Sequence, residues 1–466
     1  MESSSVRTAQ RNLARSKKRT ETAADLEDRN ILVKDADIWN GKGFTRGCIL
    51  ILEGRIKRIA RSITDSGVET IDALGLKALP GLIDVHVHLR DMGLAYKEDF
   101  ATGTAAAAAG GFTTVLDMPN TVPPTDSASR LIEKRKVAAQ KTYVNVGFHA
   151  AAVSDSHDIE SLADAGAFSL KLYMPKPIAP FDVENDQAIE KMMRTAGRVG
   201  TPVTVHAEDL ATGENTSKTD SFEAAAEARP PIFETRAVDR LLRIQKKVRC
   251  HVHYCHLTLR SSLRKVSGSM KSTSEVTPHH LLLSKKILSS LGWRAWMVPP
   301  LRSEETRWSL LKSTLTGLCS VLASDHAPHT VIEKDQFASK SPPGIPGLET
   351  TLPLMLTLVN RKQMSLSLLV KLLCDNPARI FGLKSKAKLR KGADGDVVLV
   401  DLKKKSMIDS RKFFSKAKYS PFDGIRTQAR FILPLLAEGS STGRERSSSE
   451  KALAPCCEVV QVEVCN

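Results

Sequence analysis

The sequence predicts an α/β fold, a (β/α)8 barrel of the TIM type, joined to a small β-domain built from both ends of the chain. Apolar runs recur along the middle, helix-like segments separate them, and strand-like segments stand near both ends. Eight buried strands alternating with helices favour closure into a barrel. A doubly wound sheet is the alternative. The eight runs are Leu82–Leu89, Thr113–Met118, Tyr143–Ala150, Phe168–Met174, Pro202–Ala207, Arg249–Leu257, Ser274–His279 and Cys319–Ser324.

The remaining elements follow from the same patterns. Helices are predicted between the runs, at Phe100–Ala109, Ser129–Lys141, Asp186–Arg198, Thr235–Lys247 and Glu304–Thr314. Short strands with glycine turns are predicted at Ile31–Val33, Cys48–Leu52 and Ile56–Ile59, with a further strand at Gly395–Leu402 to pair with them. The predicted division is a disordered basic extension (1–29), the N-terminal part of the β-domain (30–80), the barrel (81–384), the C-terminal part of the β-domain (385–437) and a disordered tail (438–466).

Composition excludes several classes of protein. The 466 residues are 41% hydrophobic, which is enough for a sizeable core. No run of 18 apolar residues is present, so a transmembrane helix is excluded, and the first 29 residues lack the apolar run of a secretory signal. A transit peptide remains the alternative there to a disordered extension. The eight cysteines are irregularly spaced and include no CxxC pair, which indicates a reducing compartment and a cytoplasmic location.

The chain is basic. It has 68 lysines and arginines against 52 acidic residues, a net charge of +16. Such a balance can favour nucleic acid or an anionic substrate. The basic residues are scattered, and neither an aromatic-rich RNA motif nor zinc-finger spacing accompanies them. A generally basic surface is therefore the preferred interpretation, with nucleic acid not expected as a partner.

Metal-capable side chains stand at the ends of four predicted strands. In a barrel, chemistry collects at the carboxyl ends of the strands. His86, His88 and Arg90 alternate along the first strand and therefore share one face. A single histidine is more often packed in a core, but the full set suits Zn²⁺ or a similar ion. That set comprises His86, His88, His206, His256 and Asp325.

Lys171 stands inside the apolar fourth strand. A buried ammonium group is costly, so its pKa should fall. A neutral amine can react with CO₂ to give a carbamate, whose two oxygens can bridge two metal ions. The alternative is a lysine that reaches the rim or pairs with an aspartate. The residues alone leave both open.

Eight ordered motifs together resemble the dihydroorotases, amidohydrolase-superfamily enzymes of pyrimidine biosynthesis, from about Ile31 to Gly424. The resemblance is to the class I type with a metal-bridging lysine. It implies a metal-dependent hydrolase barrel with a small β-sandwich domain. The motifs are His86-Val-His-Leu-Arg90, Met118-Pro-Asn120-Thr, Lys171-Leu-Tyr, Val205-His206-Ala-Glu, Cys255-His256, Glu275-Val-Thr-Pro-His-His280, Ala323-Ser-Asp325-His-Ala-Pro-His329 and Pro343-Gly-Ile-Pro-Gly-Leu-Glu349.

The resemblance also implies an activity, the reversible cyclisation of N-carbamoyl-L-aspartate to L-dihydroorotate. It implies two zinc ions, one held by His86, His88 and Asp325 and one by His206 and His256, bridged by carbamylated Lys171. A hydroxide between the ions would attack the ring carbonyl, and Asp325 would carry its proton to the leaving nitrogen. The residues implied to contact substrate are Arg90, Asn120, His329, Pro343 and Gly344.

Two alternatives are weighed against this interpretation. An allantoinase or hydantoinase-like cyclic amidase usually lacks the arginine that stands here as Arg90, and Asn120 also argues against it. A non-catalytic scaffold would usually have lost ligands that this chain retains. Cys255 and Glu275 match positions of an additional zinc in some animal relatives, although a buried cysteine usually only packs. The expected partners are the small-molecule substrate, further copies of the chain and aspartate carbamoyltransferase. Association with a membrane is not expected.

Overall fold

The computed structural model describes residues 30–64, 67–210, 219–428 and 430–435. The extension predicted over 1–29 and the tail predicted over 438–466 lie outside these ranges.

Strands and helices alternate through the middle of the described chain. The strands are β1 Ile31–Trp39, β2 Phe44–Leu52, β3 Arg55–Ala60, β4 Glu69–Asp72, β5 Lys77–Pro80, β6 Leu82–Val87, β7 Phe112–Asp117, β8 Asn145–Phe148, β9 Ala150–Ala151, β10 Leu170–Tyr173, β11 Val203–His206, β12 Val252–Tyr254, β13 Ser272–Val276, β14 Val321–Leu322, β15 Val397–Asp401, β16 Ser406–Met407, β17 Arg426–Thr427 and β18 Arg430–Leu435.

The α-helices are α1 Phe100–Ala109, α2 Ala128–Ala139, α3 Ser156–Asp164, α4 Asp186–Val199, α5 Phe222–Glu227, α6 Pro231–Gln245, α7 Arg260–Ser267, α8 Pro278–Leu282, α9 Leu288–Leu291, α10 Glu304–Leu315, α11 Val331–Lys334, α12 Leu348–Asn360, α13 Leu366–Val370 and α14 Asn376–Ile380. Each of the eight predicted apolar runs overlaps a strand, and each of the five predicted helices is present. In the described chain, no helix has both the length and the apolar character needed to cross a membrane.

The middle strands form two parallel sheets. One has the order β6-β7-β8 and the other β14-β13-β12-β11-β10-β9. Only His149 separates β8 from β9, and its backbone N–H donates to Asp117 O at 2.9 Å. At the other edge the backbone N–H of His88 donates to His326 O at 2.7 Å. The parallel α/β arrangement predicted from the sequence is thus present, and it brings the carboxyl ends of these strands together.

A separate seven-stranded sheet draws strands from both ends of the described chain. Its order is β18-β15-β5-β1-β2-β3, with β4 paired to β1. β15 lies antiparallel to β5, with Leu399 opposite Ala78. Val33, Ile49 and Leu399 are buried in one apolar cluster on this sheet. The late strand thus lies in the same sheet as the predicted early strands, but its direct partner on that side is β5, which the sequence did not predict.

The chain between β15 and β18 returns to the parallel sheets. Phe413, Tyr419 and Phe422 are buried in an apolar cluster with Trp296 and Leu301. β16 and β17 pair only with each other among the described strands. This segment therefore lies beside the loops that follow the parallel strands, where the candidate site is found.

Candidate active site

The six predicted metal ligands lie at the carboxyl ends of the parallel strands. Lys171 lies within β10, and His86 and His206 lie at or beside the ends of β6 and β11. The other three follow in loops, at His88, His256 and Asp325. All are buried except His88, which is partly buried.

His86, His88 and Asp325 form one half of the cluster. Oδ1 of Asp325 lies 3.3 Å from His86 Nε2 and 3.3 Å from His88 Nε2. Four donors held tetrahedrally by one zinc ion at about 2.0–2.1 Å lie roughly 3.3 Å apart. Ligand atoms of His86, His256 and Asp325 also lie within 4.8 Å of one another. The spacing of these donors therefore fits a divalent metal ion.

His206 and His256 form the other half. His206 Nδ1 and His256 Nε2 are 3.0 Å apart, and the ring centroids of His86 and His256 are 5.2 Å apart. His206 Nε2 lies 3.0 Å from the Glu208 carboxylate, which also pairs with Arg229 at 2.5 Å. Glu208 thus hydrogen-bonds to Nε2 of His206, while Nδ1 of His206 faces His256.

Burial sets the protonation of these rings. It lowers the pKa values of His86 and His206, and lowers those of His88 and His256 well below the usual range. Burial also raises the pKa of Asp325, although the neighbouring His86 opposes this. Neutral imidazoles are the form that binds metal.

Lys171 lies in β10, between the neighbouring parallel strands β9 and β11. It is 3% exposed, and its Nζ donates to the Cys255 sulfur at 3.2 Å. No carboxylate of the described chain lies within ion-pair distance of it. Of the two interpretations left open by the sequence, pairing with an aspartate is thus not observed among the described residues, and the amine is buried rather than at the rim.

Glu275 on β13 orients His86 from behind. Its carboxylate accepts from His86 Nδ1 at 2.5 Å, from the His256 backbone N–H at 3.0 Å and from His253 Nε2 at 3.1 Å. Although burial alone would raise it, the His86 and His253 rings hold the pKa of Glu275 well below its usual range. With Nδ1 of His86 donating to Glu275, Nε2 presents its lone pair towards Asp325.

Asn120 orients the second histidine in the same way. Its Oδ1 accepts from His88 Nδ1 at 2.7 Å. This contact leaves Nε2 of His88 free to face Asp325. Asn120, expected at the substrate, therefore also holds a predicted ligand.

The remaining predicted substrate residues lie beside one another. Arg90 Nη2 is 3.0 Å from His329 Nε2, and that nitrogen is 3.2 Å from Pro343 O. Gly344 has φ +136, and a Cβ there would lie 2.5 Å from Ala327 O, so only glycine fits. Arg90, Pro343, Gly344 and His329 thus form one wall next to the loop that carries Asp325.

The backbone is strained where the site residues are presented. Arg90, His256 and Asp325 have φ values of 60, 33 and 47. Such values are uncommon for residues with a Cβ, and they cluster at functional sites. Because β6 ends at Val87, it is this loop conformation, and not strand alternation, that directs Arg90.

Three further residues complete the site without having been predicted there. Lys97 contacts His329 at 3.1 Å, and its partner Glu333 lies 2.8 Å away. Glu208 stands in the Val205-His206-Ala-Glu motif, and its spacing of two from His206 is a signal that could identify it. Lys97 and Glu333 lie in loop and short-helix segments without periodicity, so the sequence held no comparable signal for them.

Comparison of the sequence with known proteins identifies one family and relatives that share one name. Residues 78–429 match the model of the amidohydrolase family. A protein of Methanothermobacter thermautotrophicus named dihydroorotase is 40% identical over 379 residues, covering 80% of this chain and 85% of the relative. One of Bacillus cytotoxicus with the same name is 34% identical over 421 residues, covering 87% and 97%.

Solved structures share the fold. An L-hydantoinase (dihydropyrimidinase) from Arthrobacter aurescens superimposes with a TM-score of 0.83 at 29% identity, covering 91% of this chain and 98% of that one. A dihydropyrimidinase from Brevibacillus agri gives a TM-score of 0.79 at 25% identity, covering 88% and 94%. The sequence relatives and the structural neighbours thus carry two related names.

Proposed function

The chain belongs to the amidohydrolase family and falls among its dihydroorotases, and from this we propose how its residues bind and open the substrate. The reaction is the hydrolysis of a cyclic amide, L-dihydroorotate, to N-carbamoyl-L-aspartate, and its reverse. We propose that the cell uses the reverse direction, ring closure, in de novo pyrimidine biosynthesis. One observation carries the assignment of roles. A buried cationic wall of Arg90 against His329 borders a buried cluster of histidines and Asp325.

We propose zinc as the metal, with two ions in each subunit. His86, His88 and Asp325 would hold one, and His206 and His256 the other. The spacing of 3.3 Å from Asp325 to each of His86 and His88 supports the first group. When bound, such ions supply Lewis acidity, which activates water and polarises a carbonyl oxygen.

Lys171 is proposed to bridge the two ions as a carbamate. Its Nζ would add to the carbon of CO₂ and release one proton, leaving an anionic group with two oxygens. Its depth in β10 and the absence of a carboxylate partner among the described residues support this, since a buried ammonium without a counter-charge is costly.

Asp325 is proposed to move the proton. Water adds its oxygen to the ring carbonyl carbon, the ring C–N bond breaks, and the nitrogen must gain one proton. Asp325 would take that proton from the water and deliver it to the nitrogen. Its burial and raised pKa suit a carboxylate that must be protonated during the cycle.

The carboxylate of the substrate is proposed to bind Arg90, Asn120 and His329. Arginine binds carboxylates strongly and bidentately, and here Arg90 is buried. The backbone around Pro343 and Gly344 would contact the ring. The backbone at Gly344 packs closely against Ala327, which supports a backbone surface at that point of the site.

We also propose that the parallel strands close into one barrel over 81–384. The chain runs from β8 through His149 directly into β9 at one edge, and the backbone bond between His88 and His326 joins the two parallel sheets at the other, which supports closure. The seven-stranded sheet would be part of a small β-sandwich built from 30–80 and 385–437. A homo-oligomer, an association with aspartate carbamoyltransferase and a cytoplasmic location are proposed from the family alone.

The alternative is a hydantoinase or dihydropyrimidinase activity, which the structural neighbours favour. A panel of L-dihydroorotate, dihydrouracil and allantoin, offered to purified zinc-supplied protein, separates the two. We expect opening of dihydroorotate only, lost with a chelator. Opening of dihydrouracil or allantoin would refute the proposed roles of Arg90 and Asn120. No turnover by metal-loaded protein would favour a non-catalytic scaffold.

A further inference from the structure

His329 has close contacts on both ring nitrogens. The residue is 6% exposed, and its Nδ1 lies 3.1 Å from Lys97 Nζ. On the other side, Nε2 lies 3.0 Å from Arg90 Nη2 and 3.2 Å from Pro343 O. Which nitrogen carries the ring proton therefore decides what the wall presents to a ligand.

Lys97 determines the position of that proton. The ammonium group of a lysine can only donate hydrogen bonds, so Nδ1 of His329 must accept. Glu333 lies 2.8 Å from Lys97 Nζ and provides the counter-charge of the ammonium group. Burial, followed by the charges of Arg90 and Lys97, holds the pKa of His329 far below its usual range. The ring is neutral, and its single proton is on Nε2.

This tautomer places two donors side by side. The Nε2–H of His329 faces the guanidinium of Arg90, which also only donates, at 3.0 Å. Two such donors do not satisfy each other. Pro343 O, 3.2 Å from Nε2, can accept the ring proton in the free protein, and an oxygen atom of a ligand placed beside the pair can accept from both donors. In the other tautomer, Nε2 would accept from Arg90, and the pair would satisfy itself without a ligand.

We propose that Lys97 is a positioning residue for recognition of the substrate carboxylate, because its bond to Nδ1 keeps the His329 proton on Nε2. Arg90 and His329 then form a donor pair that a carboxylate oxygen completes. The inference rests on the proposed function, since it assigns a further residue to the carboxylate subsite of that activity.

The kinetic test compares Lys97→Met with the unchanged protein. Without the lysine, His329 can accept from Arg90, and the subsite closes on itself. We expect KM for L-dihydroorotate and for N-carbamoyl-L-aspartate to rise about tenfold or more, the effect of one charge-assisted hydrogen bond. We expect kcat to stay within about twofold, since Lys97 contacts none of the proposed metal ligands. Lys97→Arg, which keeps a donor-only group, should restore part of the affinity.

Lys416→Met is the matched control. Lys416 pairs at 2.5 Å with Asp99, a residue close to Lys97 along the chain. Lys416 does not contact His329. This variant should retain the KM of the unchanged protein. A fall in kcat at constant KM in Lys97→Met, or an equal rise of KM in Lys416→Met, would overturn the proposal.

The tautomer of His329 can also be measured without an activity assay. Nitrogen-15 spectra of histidine-labelled full-length protein, free of substrate, should show His329 protonated at Nε2, with the signal assigned by its loss in His329→Gln. In Lys97→Met the proton should move to Nδ1. An unchanged tautomer would refute the inference even if the enzyme is active. Absence of dihydroorotate opening by the unchanged protein would instead refute the proposed function.

Discussion

At the scale of single residues, Asp325 is the group on which most of the proposed chemistry depends. Its carboxylate contacts both His86 and His88, and its backbone adopts a φ of 47 to reach them. A side chain that both holds metal and moves a proton should tolerate no substitution that removes its charge.

Asp325→Asn should therefore reduce kcat by about a hundredfold or more, the typical contribution of a general acid–base group. The amide keeps the shape of the side chain, so the circular dichroism spectrum should not change. Steady-state rates with L-dihydroorotate test this. Turnover within a few fold of the unchanged protein would contradict the proposed role.

Glu275 contacts the proposed metal ligand His86 and not the reacting atoms. It accepts from His86, His253 and the His256 backbone, and thereby fixes His86 with Nε2 towards Asp325. Glu275→Gln replaces one acceptor oxygen with a donor. We expect a 10–100-fold loss of zinc affinity, the usual cost of losing such a partner of a ligand.

Competition with a chromophoric chelator measures that affinity. Glu234→Gln is the control, because Glu234 is equally buried but accepts from Thr258 and the Leu259 backbone. Equal zinc affinities for the unchanged protein and Glu275→Gln would show that Glu275 does not orient the ligand.

The candidate ligands were predictable because strand ends in an alternating α/β chain converge. The residues that orient them were harder to identify. Lys97 and His329 are 232 positions apart, and His86 and Glu275 are 189 apart. Such contacts depend on how loops fold over the strand ends, which no local pattern records. Glu275 and Cys255 stood out only through resemblance.

At the scale of elements, the segment between β15 and β18 is held by two carboxylates, of which Glu98 is buried and Glu349 is partly buried. Glu349, in the first turn of α12, accepts from the backbone N–H groups of Phe414 at 2.8 Å and Ser415 at 3.2 Å. Glu98, just before α1, accepts from the Ser415 hydroxyl and from the Lys416 backbone. Two acidic side chains thus bind one loop against the parallel sheets.

Glu349 gives this contact a dependence on pH. Burial raises its pKa to about 8, above the ordinary value of a glutamate. The folded state therefore holds this proton more tightly than the unfolded state. The stabilisation is complete below about pH 4.5 and is lost as the pH rises to about 8.

Glu349→Gln should remove that dependence. The amide oxygen can still accept from both backbone groups, but no charge forms. Between pH 5 and 8 the free energy of unfolding of the unchanged protein should fall by about 3 kcal/mol more than that of the variant. Urea titrations measure this, with Glu133→Gln on exposed α2 as control. Parallel curves for the unchanged protein and Glu349→Gln would contradict the assignment.

The helices and strands themselves followed from periodicity and caps. Asp99 and Asn185 cap α1 and α4, which begin where predicted. The loop that Glu98 and Glu349 hold was not predicted to return to the parallel sheets, because its apolar residues follow no helical or strand period. Its partners are more than 60 positions away in sequence.

At the scale of the whole molecule, the proposed metal site joins distant parts of the chain. Its residues come from β6, β10 and β11 and from the loops after β6, β12 and β14, and they span both parallel sheets. The sequence predicted this convergence from the number and order of its apolar runs. It also predicted the shared sheet of the two ends, from the strand-like segments near both ends of the chain.

Because these ligands belong to both sheets, metal should stabilise the entire fold. An ion that binds only the folded state adds about 2.7 kcal/mol when its concentration is one hundred times the Kd. In a chain of this size that shift corresponds to roughly several degrees in Tm. We therefore expect calorimetry to show a lower Tm after dipicolinate treatment and recovery when zinc is restored.

His206→Asn is the control for this effect, since it removes one proposed ligand from a single strand. Its Tm should respond much less to zinc than that of the unchanged protein, and the two should converge once metal is stripped. Metal content must be measured on the same samples. If zinc leaves the unchanged protein and its Tm does not move, the ions do not bridge the two sheets. The histidines and Asp325 would then be held together by the fold alone, through Glu275 and Asn120.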